Sequence, residues 1–488
     1  LLIIPLLLCL FQGNAQTREL DLETIWASGA LVPEMYDGVI HMDDGEHYAR
    51  ILRDYSNPSD ISEKIVLYKY GEETPSKTLF DNKDAPEGFG SISEFTLSKS
   101  GKLILFETEF QGIYRYSYTA VYYVYNNENK KWHTVAEGNS VMYGTLSPDE
   151  QNIAYVYEND LYFEPLFSGE GKQKAISTDG EEDAILNGRS DWVYEEEFTL
   201  VKAFEWSPDG KRIAWFRFDE SKVKEYQLNY YRGNYPYRYV FKYPKVGEDN
   251  SLLSLHIYNL ESGKQIDIDE WADINTYLPR MKWTSDPNKL SIQKLNRHQN
   301  HLEMYFIDAS SGEKELVYEE RDEQYVDIHD NLKFLDDNSF LWTSGKSGFN
   351  HLYRISPGGK ETQITKGEWE VTKVYGDDGS YIYYQSTESS PLRRNIYKIK
   401  LNGKGQKKLS EEEGTNTAEF SKGFDFFINT HSTANKPHTV TLRDNNGKTI
   451  KTLVENSAFE KTMKNYGFVP VEFFDLKTES GVELNASI

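Results

Sequence analysis

FEWSPDGKRIAWF, residues 204–216, decides the fold. An apolar segment ends in Ser, a Pro-Asp-Gly turn follows, and a new run begins with alternating apolar residues. That order spells strand, tight turn, strand. The same grammar returns as FTLSKSGKLILFE (95–107), GTLSPDEQNIAYVY (144–157) and MKWTSDPNKLSI (281–292). Weaker copies are LKFLDDNSFLWTS (332–344) and KVYGDDGSYIYYQ (373–385). A second half-unit, a strand running into a polar turn, appears in VLYKYGEE (66–73), LHIYNLESGK (255–264) and MYFIDASSGEK (304–314). It appears again in LYRISPGGK (352–360), IYKIKLNGKG (396–405) and VTLRDNNGK (440–448).

Successive copies lie roughly 40–75 residues apart, room for a four-stranded sheet with its loops. Seven or eight units are legible, and they cover most of the chain. At 488 residues the chain exceeds what one conventional core supports, about 250–300 residues. Radial packing of small sheets resolves both problems, because it leaves only short protected edges. The expectation is an all-β fold, a β-propeller of eight four-stranded blades. An outer-membrane barrel also alternates, but needs apolar outward bands with aromatic girdles. Short helices are expected only in ELDLETIWASGAL (19–31) and SAFEKTMKNYG (457–467), and residues 469–488 read as two strands joined by a turn.

The formal net charge of −24 disfavours phosphate backbones and anionic lipid, so nucleic-acid binding is not expected. Residues 1–15 read as part of a secretory signal peptide, with Gly13 and Ala15 at the −3 and −1 positions of a cleavage site. The apolar run is shorter than the roughly 20 residues a spanning helix requires. An exported chain, periplasmic or extracellular, with no membrane segment after processing is therefore expected. The one cysteine, Cys9, lies inside this leader, so disulfides cannot stabilise the processed chain.

The search for chemistry excludes more than it finds. No Gly-x-Ser-x-Gly elbow and no phosphate-binding glycine loop occur. His298 and His301, with Glu303, lie in a segment that alternates like a strand, which would point the two rings to opposite faces. Asp43-Asp44-Gly45-Glu46 reads as a turn rather than a calcium loop. Neither a metal nor a cofactor is expected.

DWVYEEEF, residues 191–198, remains. On composition three adjacent glutamates are a solvated face. Yet Trp192, Val193, Tyr194 and Phe198 would anchor the segment and hold its carboxylates still. Fixed adjacent carboxylates suit an ammonium, with three donors on one compact charge. Arg115, among the tyrosines of residues 113–125, is either a surface cation stacked on rings or a planar fork for a carbonyl or carboxylate.

With GEEDAILNGRS (180–190) before it and AFEWSPDGKRIAW (203–215) after it, DWVYEEEF resembles the propeller region of the dipeptidyl peptidase IV family, in the prolyl oligopeptidase clan of serine peptidases. YRYSYTAVY (114–122), YPKVGEDNS (243–251), LNRHQNHLE (295–303), TKGEWEV (365–371), RRNIYKI (393–399) and LVENSAFEKTM (453–463) continue the likeness in order, from about residue 19 to the end. The resemblance implies a helical inset on which Glu196 and Glu197 grip a substrate's N-terminal ammonium. It implies that Arg115 binds a substrate carbonyl. Glu195, Trp192 and Tyr194 are expected as support, Glu195 as a solvated neighbour or a structural acceptor. A family aromatic-arginine pair would fall within YVDIHDNLK (325–333), which contains none, so nothing is transferred there.

The layout so implied is a partial signal peptide (1–15), a segment packing on a hydrolase domain (16–40), the propeller (41–475) and the start of an α/β-hydrolase domain (476–488). The Ser-Asp-His triad would belong to that domain, so these residues alone are expected to be inactive. Release of X-Pro or X-Ala dipeptides from free N-termini is the implied activity, with homodimerisation through the tyrosine-rich arm at 225–244. The alternative is an inactive homologue or free-standing propeller that binds peptides or proteins.

Overall fold

The computed structural model describes residues 18–57, 61–167, 173–410 and 413–488. The leader at 1–15, with Cys9, lies outside the described residues.

Eight sheets follow one another along the chain from Ile40 to Val454, each built from consecutive antiparallel strands. Blade 2, for example, is Ile92–Leu97, Leu103–Gly112, Tyr118–Asn126 and Lys131–Thr134, paired in that order. This is the eight-bladed β-propeller that the repeat implied. The repeat residues explain it atom by atom. The serine hydroxyl accepts the backbone N–H five residues on, across the turn: Leu103 to Ser98 at 3.0 Å, Asn152 to Ser147 at 2.9 Å, Arg212 to Ser207 at 2.9 Å, and Phe426 to Ser421 at 3.0 Å. In the Pro-Asp copies the same hydroxyl donates to the aspartate, Ser147 to Asp149 at 2.5 Å and Ser207 to Asp209 at 2.6 Å. Gly210 closes its turn with φ +71°, and any side chain there would collide with the Asp149 carboxylate of the neighbouring blade.

The residue before the serine ties blades together. Trp206 of blade 4 donates its indole N–H to the Thr145 carbonyl of blade 3 at 3.0 Å. Trp283 of blade 5 repeats this to Glu205 of blade 4 at 3.1 Å. Apolar clusters fill each gap between blades. The last gap closes where Tyr48 and Tyr70 of blade 1 meet Ile428, Val440, Leu442 and Val454 of blade 8, with Tyr70 stacked on Phe426 at 4.9 Å. Among the described residues no strand is exchanged between the first and last blades; side-chain packing completes the ring, with an ion pair between Asp43 and Lys422 at 3.7 Å.

Both expected helices form, α1 at Leu22–Trp26 and α3 at Ser457–Asn465, on either side of α2 at Trp192–Phe198. The last segment folds as the hairpin Phe473–Lys477 with Glu483–Ser487. A further hairpin, Glu225–Tyr230 with Tyr237–Lys242, projects between the second and third strands of blade 4. It is the tyrosine-rich arm, with Tyr231 and Tyr235 exposed at its tip.

Replacing Ser207 by Ala strands the Arg212 N–H and removes a buried donor from Asp209. The expected loss is about 1–3 kcal/mol, read as a lower urea midpoint with an unchanged circular dichroism spectrum. An unaltered midpoint would show that the hydroxyl does not hold the turn.

Candidate functional site

The innermost strand of blade 4 is broken in two. Ile185–Asn187 pairs with residues 217–219, Phe204–Trp206 pairs with residues 213–215, and residues 188–203 leave the sheet between them. The neck of this loop is pinned by Ala203 N–H to the Gly188 carbonyl at 2.9 Å and Ser190 N–H to the Val201 carbonyl at 3.2 Å. The loop carries α2.

Every residue of DWVYEEEF has a distinct place. Asp191 is the N-cap, extended at φ −79° and ψ 176°, with Oδ1 accepting Tyr194 N–H at 2.9 Å. Its Oδ2 accepts the Ser251 hydroxyl at 2.5 Å. Burial pushes the Asp191 carboxyl upward, against the pull of those bonds and of Arg189. Tyr194 and Phe198, four apart and so on one helix face, pack on Phe218 and Tyr277. The Tyr194 hydroxyl accepts Leu278 N–H at 3.1 Å, which fastens the helix to blade 5. Trp192 lies against Tyr243 and Phe241 of the arm at ring separations of 4.5 and 6.0 Å. At the C-terminal end Thr199 turns left-handed at φ 52°, and Arg280 donates to the Phe198 carbonyl at 2.7 Å while paired with Asp330 at 2.6 Å.

The three glutamates diverge. Glu195 is only 1% exposed, and one of its oxygens accepts the backbone N–H groups of Tyr116 and Ser117 at 2.7 and 3.0 Å. It is a structural acceptor that binds a loop of blade 2 to the inset of blade 4. That loop presents Arg115, whose Nε reaches both oxygens of Glu196 at 2.9 and 3.2 Å. Arg115 is largely exposed and Glu196 half-buried, so the pair contributes little to stability. Its effect is to aim the two side chains, and Glu196 holds the guanidinium pKa above its ordinary value. Glu197 is exposed and has no hydrogen bond or ion pair among the described residues. One cation against two carboxylates leaves a net negative charge on a rigid helix, suited to a further small cation. The structure thus brings Arg115, Glu196 and Glu197 together.

Beneath the inset lies a group that sequence reading did not single out. Glu220 is 5% exposed, and burial, reinforced by Asp191, pushes its carboxyl up to about 8, with Arg189 opposing. Arg189 donates to Asn159 at 3.0 Å, while its Nε and the Ser190 hydroxyl are buried without partners. Acidic residues at surface-like spacing gave no sign of this burial, which arises only when residues 180–190 fold over the sheet.

The histidine segment differs from its expected single strand. The chain turns at 297–300, with Asn296 accepting the N–H groups of Asn300 and His301 at 3.0 Å and Gln299 at φ 57°. His298 therefore sits in a hairpin turn, and His301 begins the next strand, bonded to Glu319 at 2.9 Å. Asparagine capping of a tight turn overrides the alternation. Among the described residues no group of three or more His, Cys, Asp or Glu side chains is placed to hold a metal, and no helix is long and apolar enough to cross a membrane.

Residues 98–438 match the family model for the dipeptidyl peptidase IV N-terminal region. The chain is 30% identical over 435 residues to dipeptidyl peptidase 4 of Arthroderma otae, covering 84% of this chain and 55% of that protein. It is 29% identical over 434 residues to a probable dipeptidyl peptidase 4 of Trichophyton verrucosum, covering 84% and 56%. The crystal structure of Porphyromonas gingivalis dipeptidyl peptidase 4 superposes with a TM-score of 0.89 at 36% identity, over 96% of this chain and 67% of that one. The chain thus spans about half the length of the curated relatives it matches.

The raised pKa of Glu220 has a definite sign. The folded chain keeps a proton that the unfolded chain releases above its ordinary 4.5, so the associated stability is full at low pH and lost as pH rises through about 8. Urea midpoints of the wild type and Glu220→Gln are expected to coincide near the acid end and to separate in the variant's favour toward alkaline pH, by on the order of 1 kcal/mol per pH unit at most. Parallel profiles would mean that Glu220 ionises normally.

Proposed function

The chain belongs to the dipeptidyl peptidase IV family, and on that premise we propose that it recognises peptide N-termini for an exopeptidase that releases X-Pro or X-Ala dipeptides. One observation carries this reading: Glu196 and Glu197 are adjacent on a helix immobilised from both sides, and the Glu197 carboxylate has no partner among the described residues. A free ammonium fills that position. A blocked or internal peptide would leave the carboxylates near the substrate and poorly paired, which disfavours it by several kcal/mol where water is excluded. The clamp therefore selects chain ends.

Arg115 completes the subsite. Its guanidinium is exposed and already oriented by Glu196, so its remaining donors can meet a substrate carbonyl near the N-terminus. Glu195, Tyr194 and Trp192 act through position, fixing the helix against blade 2, blade 5 and the arm.

Peptide-bond chemistry is assigned to a serine triad of an α/β-hydrolase domain outside the described residues. Exposed apolar side chains at both ends of the chain, including Leu22, Trp26, Val469 and Phe473, support such a docking surface. The arm, with its exposed Tyr231 and Tyr235, is the candidate homodimer contact. The apolar leader supports export, to the periplasm or outside the cell.

In the full-length enzyme, Glu196→Ala and Glu197→Ala are each expected to lower kcat/KM toward an Ala-Pro anilide by roughly 10- to 100-fold, the value of one charge-assisted contact. Calorimetry on the purified chain supplies the complementary reading: N-acetylation should weaken peptide binding to the wild type but hardly to the double variant. Equal binding of free and acetylated peptides by the wild type would remove the clamp.

A further inference from the structure

The first strand of each sheet faces the centre of the ring, and two cavities there run into each other. One, of about 510 Å³, is lined by residues 199–202 directly after α2, by Arg280 and Lys282 of blade 5, and by Lys333 of blade 6. The other, of about 860 Å³, continues from Lys282 and Lys333 to Lys373 of blade 7, Glu419 of blade 8 and His41 of blade 1. The loop that follows the acidic helix therefore borders an axial channel whose wall carries lysines from three consecutive blades.

These lysines are poorly neutralised. Lys282 donates to the Leu332 carbonyl at 2.8 Å. Lys333 makes no hydrogen bond or ion pair among the described residues, and Lys373 only lies over the Tyr375 ring at 5.2 Å. Enclosure pulls Lys282 down to about 8, helped by Lys333 against Glu205 and Asp330, and enclosure also lowers Lys333, opposed by Asp330 and helped by Lys373. The carboxylates that face them are mostly engaged elsewhere. Asp330 pairs with Arg280 at 2.6 Å, Glu205 with Lys202 at 3.7 Å and Asp43 with Lys422 at 3.7 Å. Glu419 and Asp377 are pushed upward by burial, and burial drives His41 down to about 4, leaving it neutral.

A second observation is independent of charge. Gln293, 2% exposed, lines the smaller cavity, and its buried Oε1 has no hydrogen-bond partner among the described residues. Buried amide oxygens are rarely left so, and a half-turn of this amide puts its NH2 in that position, where an anion held by the lysines would accept from it.

We infer that Lys282, Lys333 and Gln293, with Lys373 opposite, form an anion subsite in the axial channel that takes a carboxylate of the bound peptide, either its C-terminus or an acidic side chain. The peptide as occupant rests on the reading of Glu196 and Glu197 as an amine clamp. The channel is then electrically complementary to a zwitterionic peptide, negative at the inset and positive along the wall. It favours short peptides with a free C-terminus, or longer ones with an acidic residue downstream.

The test is calorimetry on the purified chain with four versions of one short peptide: free, N-acetylated, C-terminally amidated, and amidated with a Glu in place of a Gln. Amidation is expected to weaken binding about tenfold, as loss of one charge-assisted contact does, and Lys333→Met to abolish that difference. If amidation is neutral while the Glu version binds more tightly in wild type but not in Lys333→Met, the subsite stands and its occupant is the side chain. Indifference of the wild type to both carboxylates overturns the proposal, whatever the variant does. So does a carboxylate preference that survives in a folded Lys333→Met/Lys282→Met double variant. A carboxylate effect without an acetylation effect would keep the anion subsite and discard the clamp.

Discussion

Everything in this molecule depends on the burial of two faces per blade. A four-stranded sheet has an apolar face on each side and cannot cover either alone. Here the faces are covered by the neighbouring sheets around a closed ring, down to the Tyr70–Phe426 stack that joins blade 8 to blade 1. Indole donors of Trp206 and Trp283 add direction to that packing by fixing the height of one inner strand against the previous one. A ring held in this way has little freedom to shear. It can carry an interruption in one inner strand without losing the geometry of what projects from it.

Blade 4 exploits that rigidity. Its broken inner strand would be a liability in an open sheet, since the chain leaves the sheet between Gly188 and Ala203, which both still bond to Phe216. The neck bonds at Gly188 and Ser190, the buried Asp191 cap and the Tyr194 bond to blade 5 replace what the strand lost. Glu195 adds a tie to blade 2, and it is an ionic one made with two backbone donors rather than a counter-charge. Such an acceptor is satisfied without neutralising the carboxylates beside it. Had an arginine held Glu195, its charge would have competed for any cation that Glu197 could bind.

The sequence made the propeller readable because its repeat records local bonds: the serine, the turn aspartate and the aromatic before them each have a partner within the turn or the adjacent blade. The α2 inset was readable only as a resemblance. Nothing local in EEE distinguishes a buried Glu195 from an exposed Glu197, because the burial comes from Tyr116 and Ser117, far away in the chain. Arg280, Gln293 and Glu220 were invisible for a similar reason, each standing in an ordinary alternating strand or at its edge and gaining its surroundings from segments outside that strand. The histidine segment failed in the opposite direction, since alternation continued across a turn that Asn296 enforces through its side chain.

The placement of charge gives the fold its functional sense. With a formal charge of −24, the outer surface favours cationic groups and would repel a peptide's carboxylates at long range. A channel lined uniformly in the same sign would admit an N-terminus and then resist whatever followed it. Lys282, Lys333 and Lys373 set positive charge past the inset, where enclosure and neighbouring lysines hold Lys282 and Lys333 below their ordinary pKa. Lysines on three successive blades, bordering a buried amide whose half-turn would offer NH2 donors, form a wall that an anion can engage.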